Sequence, residues 1–142
     1  MAALGTRLLK IKIDSVEYTA QVSKAVITSG EADADFVTFA DAAAGGAREY
    51  RLEFTAVQDM ATTTLWEKVW SNSGTTVACT LNPYGVGTFA PATPGFTFSA
   101  VIAEPDGDFI GGEANSSNSA RMTFDCSWVL TAKPTRVTTG SF

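Results

Sequence analysis

The sequence predicts a mainly β protein: a β-sandwich or partly closed barrel of two packed antiparallel sheets, flanked by one short α-helix at about residues 60–72, with a long hairpin loop and extended terminal arms. Three observations carry that prediction. Apolar and polar residues alternate with period two in several separate stretches, which is the signature of strands buried on one face. One stretch alone, holding Leu65, Trp66, Val69 and Trp70, switches to helical spacing. Gly, Pro, Asn and Asp gather between the periodic stretches, where the chain must turn. With 142 residues and 45% hydrophobic content, one domain with a sizeable core is expected, because two domains of about 70 residues would each be marginal.

Residues 1–7 are small and unpatterned and read as an N-terminal arm. Leu9, Ile11 and Ile13 then alternate with Lys10, Lys12 and Asp14, and Asp14 with Ser15 supplies the turn of a hairpin. In the return strand Val16, Tyr18, Ala20 and Val22 face one way and Glu17, Thr19, Gln21 and Ser23 the other, until the phase blurs from Lys24 to Ile27 as at a bulge. Residues 29–48 form a long loop carrying Glu31, Asp33, Asp35 and Asp41, with no basic residue between Lys24 and Arg48. Two readings of it stand: a protruding hairpin, built on the β-prone island from Phe36 to Phe39, that finds its partner on another chain, or a flexible acidic loop.

The stretch from Tyr50 to Pro83 organises the rest. Its first strand is two-faced, with Tyr50, Leu52, Phe54 and Ala56 inward and Glu49, Arg51, Glu53 and Thr55 outward. In the helix that follows, Leu65, Trp66, Val69 and Trp70 form the apolar stripe expected to pack on the sheets, since so short a helix is marginal in water by itself. Thr64 with Glu67 fits a capping box and Asp59 is a rival N-cap, while Gly74 suits a left-handed stop. Val77, Cys79 and Leu81 continue the inward pattern, and Asn82-Pro83 ends that strand. Beyond a Gly- and Pro-rich loop, Phe96, Phe98, Ala100 and Ile102 form another strand, and Phe109 to Ala114 reads as a short kinked edge strand. The strongest alternation, Met122, Phe124, Cys126, Trp128 and Leu130, predicts a central strand, and residues 132–142 read as a second arm.

Much chemistry is missing. With no His, the Ser-His-Asp and Cys-His nucleophilic arrangements and His-ligated metals are ruled out. No glycine loop leads into a helix to cradle phosphate. Glu49 and Glu53 share a strand face without any pocket signal, which reads as solvated surface and not as a glycosidase pair. Asp106-Gly107-Asp108 lacks the alternating ligands and terminal Glu of an EF-hand loop. Cys79 and Cys126 lie in separate strand patterns without metal or redox spacing and read as buried thiols. A net charge of -5 without a basic run disfavours a sequence-reading nucleic-acid binder. No leader or membrane span is evident, so a soluble protein of a reducing cytoplasm is expected, with no enzyme activity and no cofactor.

The order of several motifs carries a resemblance. Phe54-Thr55-Ala56-Val57-Gln58-Asp59, Leu65-Trp66 and Trp70 with Gly74, Asn82-Pro83, Gly95-Phe96, Ile110-Gly111-Gly112-Glu113-Ala114, Thr123-Phe124-Asp125-Cys126-Ser127-Trp128 and Lys133-Pro134 together resemble the major tail (tail tube) proteins of long, flexible-tailed bacteriophages. The resemblance spans roughly Ile13 to Pro134. It implies a β-sandwich flanked by one helix, hexameric rings stacked into a tube, and genomic DNA passing through without sequence-specific binding. The implied partners are further copies of the chain, a tape-measure protein, and tail terminator and distal tail proteins; the implied location is the virion tail, assembled in the host cytoplasm. By the same resemblance Glu49, Arg51 and Glu53 and the loop acids Glu31, Asp33 and Asp35 are assigned to lumen or inter-ring surfaces. A ring-forming tail terminator or secretion-tube protein is a neighbouring reading. From a different class comes a carbohydrate-binding β-sandwich, with Tyr84 and Phe89 as an exposed aromatic platform.

Overall fold

A computed structural model describes residues 3–32, 36–46 and 48–142. Two antiparallel sheets face each other. β1 (Lys10–Ile13), β2 (Val16–Glu17), β5 (Thr76–Asn82), β6 (Gly95–Val101) and β8 (Thr135–Val137) form one, in the order β2-β1-β5-β6-β8. β3 (Val22–Glu31), β4 (Arg48–Val57) and β7 (Thr123–Val129) form the other, in the order β3-β4-β7. Neither sheet closes on itself, so the architecture is the sandwich and not the partly closed barrel. Between β3 and β4 lies a five-residue helical turn, α1 (Phe39–Ala43), and between β4 and β5 the longer helix α2 (Leu65–Asn72).

The core follows from the alternation. Ile11, Ile13, Val77, Cys79, Leu81, Phe98 and Ala100 come from the five-stranded sheet; Leu52, Phe54, Ala56, Phe124, Cys126 and Trp128 come from the other. Phe54 sits between its neighbours' rings, edge-on to Trp128 at 4.8 Å between centroids and to Phe124 at 6.2 Å, an arrangement aromatic quadrupoles favour. Asp14 and Ser15 both take positive φ, 52° and 67°, joining β1 to β2 by a two-residue turn whose hand matches strand twist.

Helix α2 carries the chain from the three-stranded sheet to the five-stranded one, burying Leu65, Trp66 and Val69. Thr64 is its N-cap, accepting the Glu67 N–H at 3.3 Å, while Asp59 instead accepts from Ala61 N–H at 3.1 Å and shapes the preceding turn. The helix therefore begins at Leu65, a turn later than residue 60. The Ser71 hydroxyl donates to the Glu67 carboxylate at 2.7 Å, and Glu67 does not return to the cap. Gly74, at φ 89°, closes the helix in the left-handed region as its sequence position suggested.

Several expectations are corrected. Trp70 is 52% exposed, lying outside the core as a lid stacked on Trp66 at 5.3 Å. β7 is an edge strand and β4 the central one; strict alternation reports burial of one face, which edge and central strands share. The return strand stops at Glu17, because Thr19–Gln21 coil into a 3₁₀ turn that hands the chain to the other sheet, with the Thr19 hydroxyl accepting the Ile11 N–H at 3.2 Å. The expected irregularity is present as a register shift between Val22 and Lys24, but the strand continues to Glu31 and takes up the start of the expected loop. Phe36, Val37 and Thr38 belong to no strand: Thr38 and Asp41 exchange capping bonds and wind Phe39–Ala43 into α1. Phe109 to Ala114 forms no strand either; the Phe109 carbonyl accepts from the Trp66 indole, and the Gly111 N–H and carbonyl bond the Gln58 side chain. The C-terminal stretch is integrated, with Thr135–Val137 pairing β6 and Phe142 packing edge-on to Phe89 at 6.4 Å.

Candidate functional site

The outer face of the three-stranded sheet is the feature to which the sequence assigned a role. Register places side chains in rows across it. Gly30 lies opposite Glu49; Thr28, Arg51 and Val129 follow; then Val26, Glu53 and Ser127; then Lys24, Thr55 and Asp125. Alternate residues of one strand share a face, so Glu49, Arg51 and Glu53 of β4 lie together, and residues directly opposite them on β3 and β7 join that face. Arg51 anchors the patch. Its Nε lies 2.8 Å from Glu49 Oε1, and Nη1 donates to the Ser127 hydroxyl at 3.2 Å. The Thr55 hydroxyl donates to the Asp125 carboxylate. Two cations, Lys24 and Arg51, thus stand among three carboxylates, Glu49, Glu53 and Asp125, on a surface that none of the described elements covers. An exposed ion pair of this kind is worth about 0–1 kcal/mol, so the patch contributes little to folding.

The other assigned acids do not join it. Glu31 pairs with Arg48 at the end of β3, on the opposite face to Glu49, because successive side chains alternate. Asp33 and Asp35 lie outside the described residues. β7 stops at the Arg51 register, with one further bond from Leu130 N–H to the Tyr50 carbonyl at 2.9 Å, while β3 and β4 stay paired out to Glu31 and Arg48, so Gly30–Glu31 and Arg48–Glu49 project as a two-stranded ribbon. Arg48 Nη2 donates to the Ser29 hydroxyl across it at 3.0 Å.

What the face can do chemically is bounded. Among the described residues no three of His, Cys, Asp and Glu gather to hold a metal ion, and no helix is long and apolar enough to cross a membrane. Burial pushes the thiols of Cys79 and Cys126 up to about 12, which keeps them protonated and poorly nucleophilic. The aromatic platform of the carbohydrate reading is not formed. Phe89 is 5% exposed and lies so close beneath Gly95 that a Cβ there would be 2.4 Å from its ring.

Two features escaped the sequence. Lys24, Asp125 and Ser127 join the patch through strand pairing, which alternation alone does not report. Gln58 acts as a clasp: its amide donates to the carbonyls of Gly111 at 2.9 Å and Thr123 at 2.8 Å, and its Oε1 accepts the Gly111 N–H at 2.7 Å. It therefore ties the 109–122 connection to β7 as a strand neighbour would. A scan against protein-family models and a search among curated proteins each found no match to this chain.

Proposed function

We propose that the chain is a structural subunit of a bacteriophage tail tube, forming hexameric rings that stack around a tape-measure protein and conduct DNA. The observation that carries this reading is the three-stranded sheet, whose polar face is bare and whose ten-residue edge strand β3 pairs on one side only, with β4. A long unpaired edge is a template for another chain. Sheets joined edge to edge around a ring would turn their bare faces toward a channel, placing Glu49, Arg51 and Glu53 on its wall. The order of sequence motifs and the single flanking helix support the same reading.

Charge fits that use. Six copies at -5 each give roughly -30 per ring, which repels a duplex with one charge per ~1.7 Å instead of gripping it. On the wall itself the charge of Arg51 is partly offset by Glu49, and its guanidinium also donates to Ser127. Negative-stain electron microscopy of the purified protein tests the proposal. Tubes of one diameter support it, single rings point to a terminator-type ring former, and a strictly monomeric species at high concentration, also unable to assemble with a tape-measure chain, rejects it.

A further inference from the structure

The chain carries two apolar surfaces that it does not use on itself. The first is a knob beyond the projecting ribbon, where Phe36 is 81%, Val37 58% and Phe39 97% exposed. Large apolar groups gathered in water mark a contact site. The second is a groove of about 470 Å³ at the open side of the sandwich beside β3, lined by Leu9, Ala25, Ile27, Tyr50, Leu81 and Phe96, with Lys133 among its residues. That volume lies within the roughly 300–1,000 Å³ of sites that enclose a ligand group.

We infer that the groove receives the Phe36–Phe39 knob of a second copy, head to tail. The chain's own knob does not fill it, as the exposure of Phe36 and Phe39 shows. Ser29 and Tyr50, which also line the groove, are the base of the ribbon, and the strands run on past them through Gly30 and Glu31 before the knob begins. Charge selects the same pairing. The sequence from residue 32 to 47 holds Asp33, Asp35 and Asp41 without a basic residue, whereas the groove carries Lys133 and no acid. A knob and a groove on different parts of one surface make a heterologous contact, which propagates into rings or open chains and does not stop at a symmetric dimer. This inference rests on the reading that the chain assembles with itself, and not on the tube in particular.

The test is complementation. One variant, Phe36→Ser with Phe39→Ser, removes the knob at positions too exposed to matter to the fold. The other fills the groove with Ala25→Trp, or at its outer residue with Ser29→Trp should Ala25→Trp melt early. Sedimentation velocity of each alone is expected to show self-association weakened at least tenfold. Mixed one to one, the intact groove of the first variant meets the intact knob of the second, and the mixture is expected to associate at least tenfold more strongly than either variant alone. Unchanged self-association of the knob variant overturns the inference, and so does failure of the mixture to pair. If wild-type tubes form and the knob variant still makes them, the groove contact is wrong while the tube stands. If the mixture pairs but the wild type makes only irregular open chains, the contact is right and the tube reading fails.

Discussion

Cys79 and Cys126 sit in the core on opposite sheets, and their burial has a consequence for pH. Each thiol is raised from 9.0 to about 12 in the folded chain, chiefly by desolvation. Above pH 9 the unfolded chain releases protons that the native chain retains, so stability falls as pH rises from 9 toward 12. The slope approaches about 1.4 kcal/mol per pH unit for each thiol. Desolvation of Tyr18 and the Asp14 contact of Lys68 raise those groups too, and both effects also weaken the native state on the alkaline side. Urea unfolding at pH 8, 9, 10 and 11 should trace the decline, and the double variant Cys79→Ala, Cys126→Ala should flatten it. The aromatic residues divide sharply by burial. Trp128→Ala should cost about 3–5 kcal/mol, since Trp128 is fully buried and edge-on to Phe54. Trp70→Ala, at a half-exposed lid, should cost about 1 kcal/mol, measured by the same unfolding curves.

Helix α2 is held along its first turn by its neighbours as well as by its apolar stripe. Leu65 N–H donates to Gln21 Oε1 at 2.9 Å, Trp66 Nε1 to the Phe109 carbonyl at 2.9 Å, and Lys68 Nζ reaches Asp14 Oδ2 at 2.5 Å. Thr64→Ala should cost about 0.5–2 kcal/mol through loss of the cap. Gln58→Ala should cost about 2–3 kcal/mol, because Gly111 and Thr123 lose three hydrogen bonds together. Hydrogen exchange should then rise selectively at Gly111. These elements mark how far the sequence could be read. Strands β4, β5 and β6 and the helix stripe were legible, because burial of one face imposes period two or 3.6 on a single strand or helix. The edge position of β7, the exposure of Trp70 and the reverse-face position of Glu31 were not, because each depends on which strand lies alongside. The short β8 was hidden for another reason: an exposed edge strand of three residues buries too little to leave a pattern.

For the whole molecule, the candidate site was half legible: Glu49, Arg51 and Glu53 share a face as their spacing required, while Lys24, Asp125 and Ser127 entered only through pairing. Subunits of net charge -5 repel one another at a distance, yet the proposed contacts are short-range, strand hydrogen bonds at the β3 edge and mainly apolar burial in the groove, where Lys133 is the one charged residue. Assembly should therefore strengthen with salt: raising ionic strength from about 0.01 M to about 0.15 M shortens the screening length from about 30 Å to about 8 Å, and sedimentation should shift toward larger species. The central claim is that one bare sheet face and one long open edge exist to build a ring with a lined channel. Negative-stain imaging of the purified protein at physiological salt tests it most directly. The account predicts hollow rings or tubes of a single diameter, and solitary particles the size of one chain at high concentration, with or without a tape-measure chain, would contradict it.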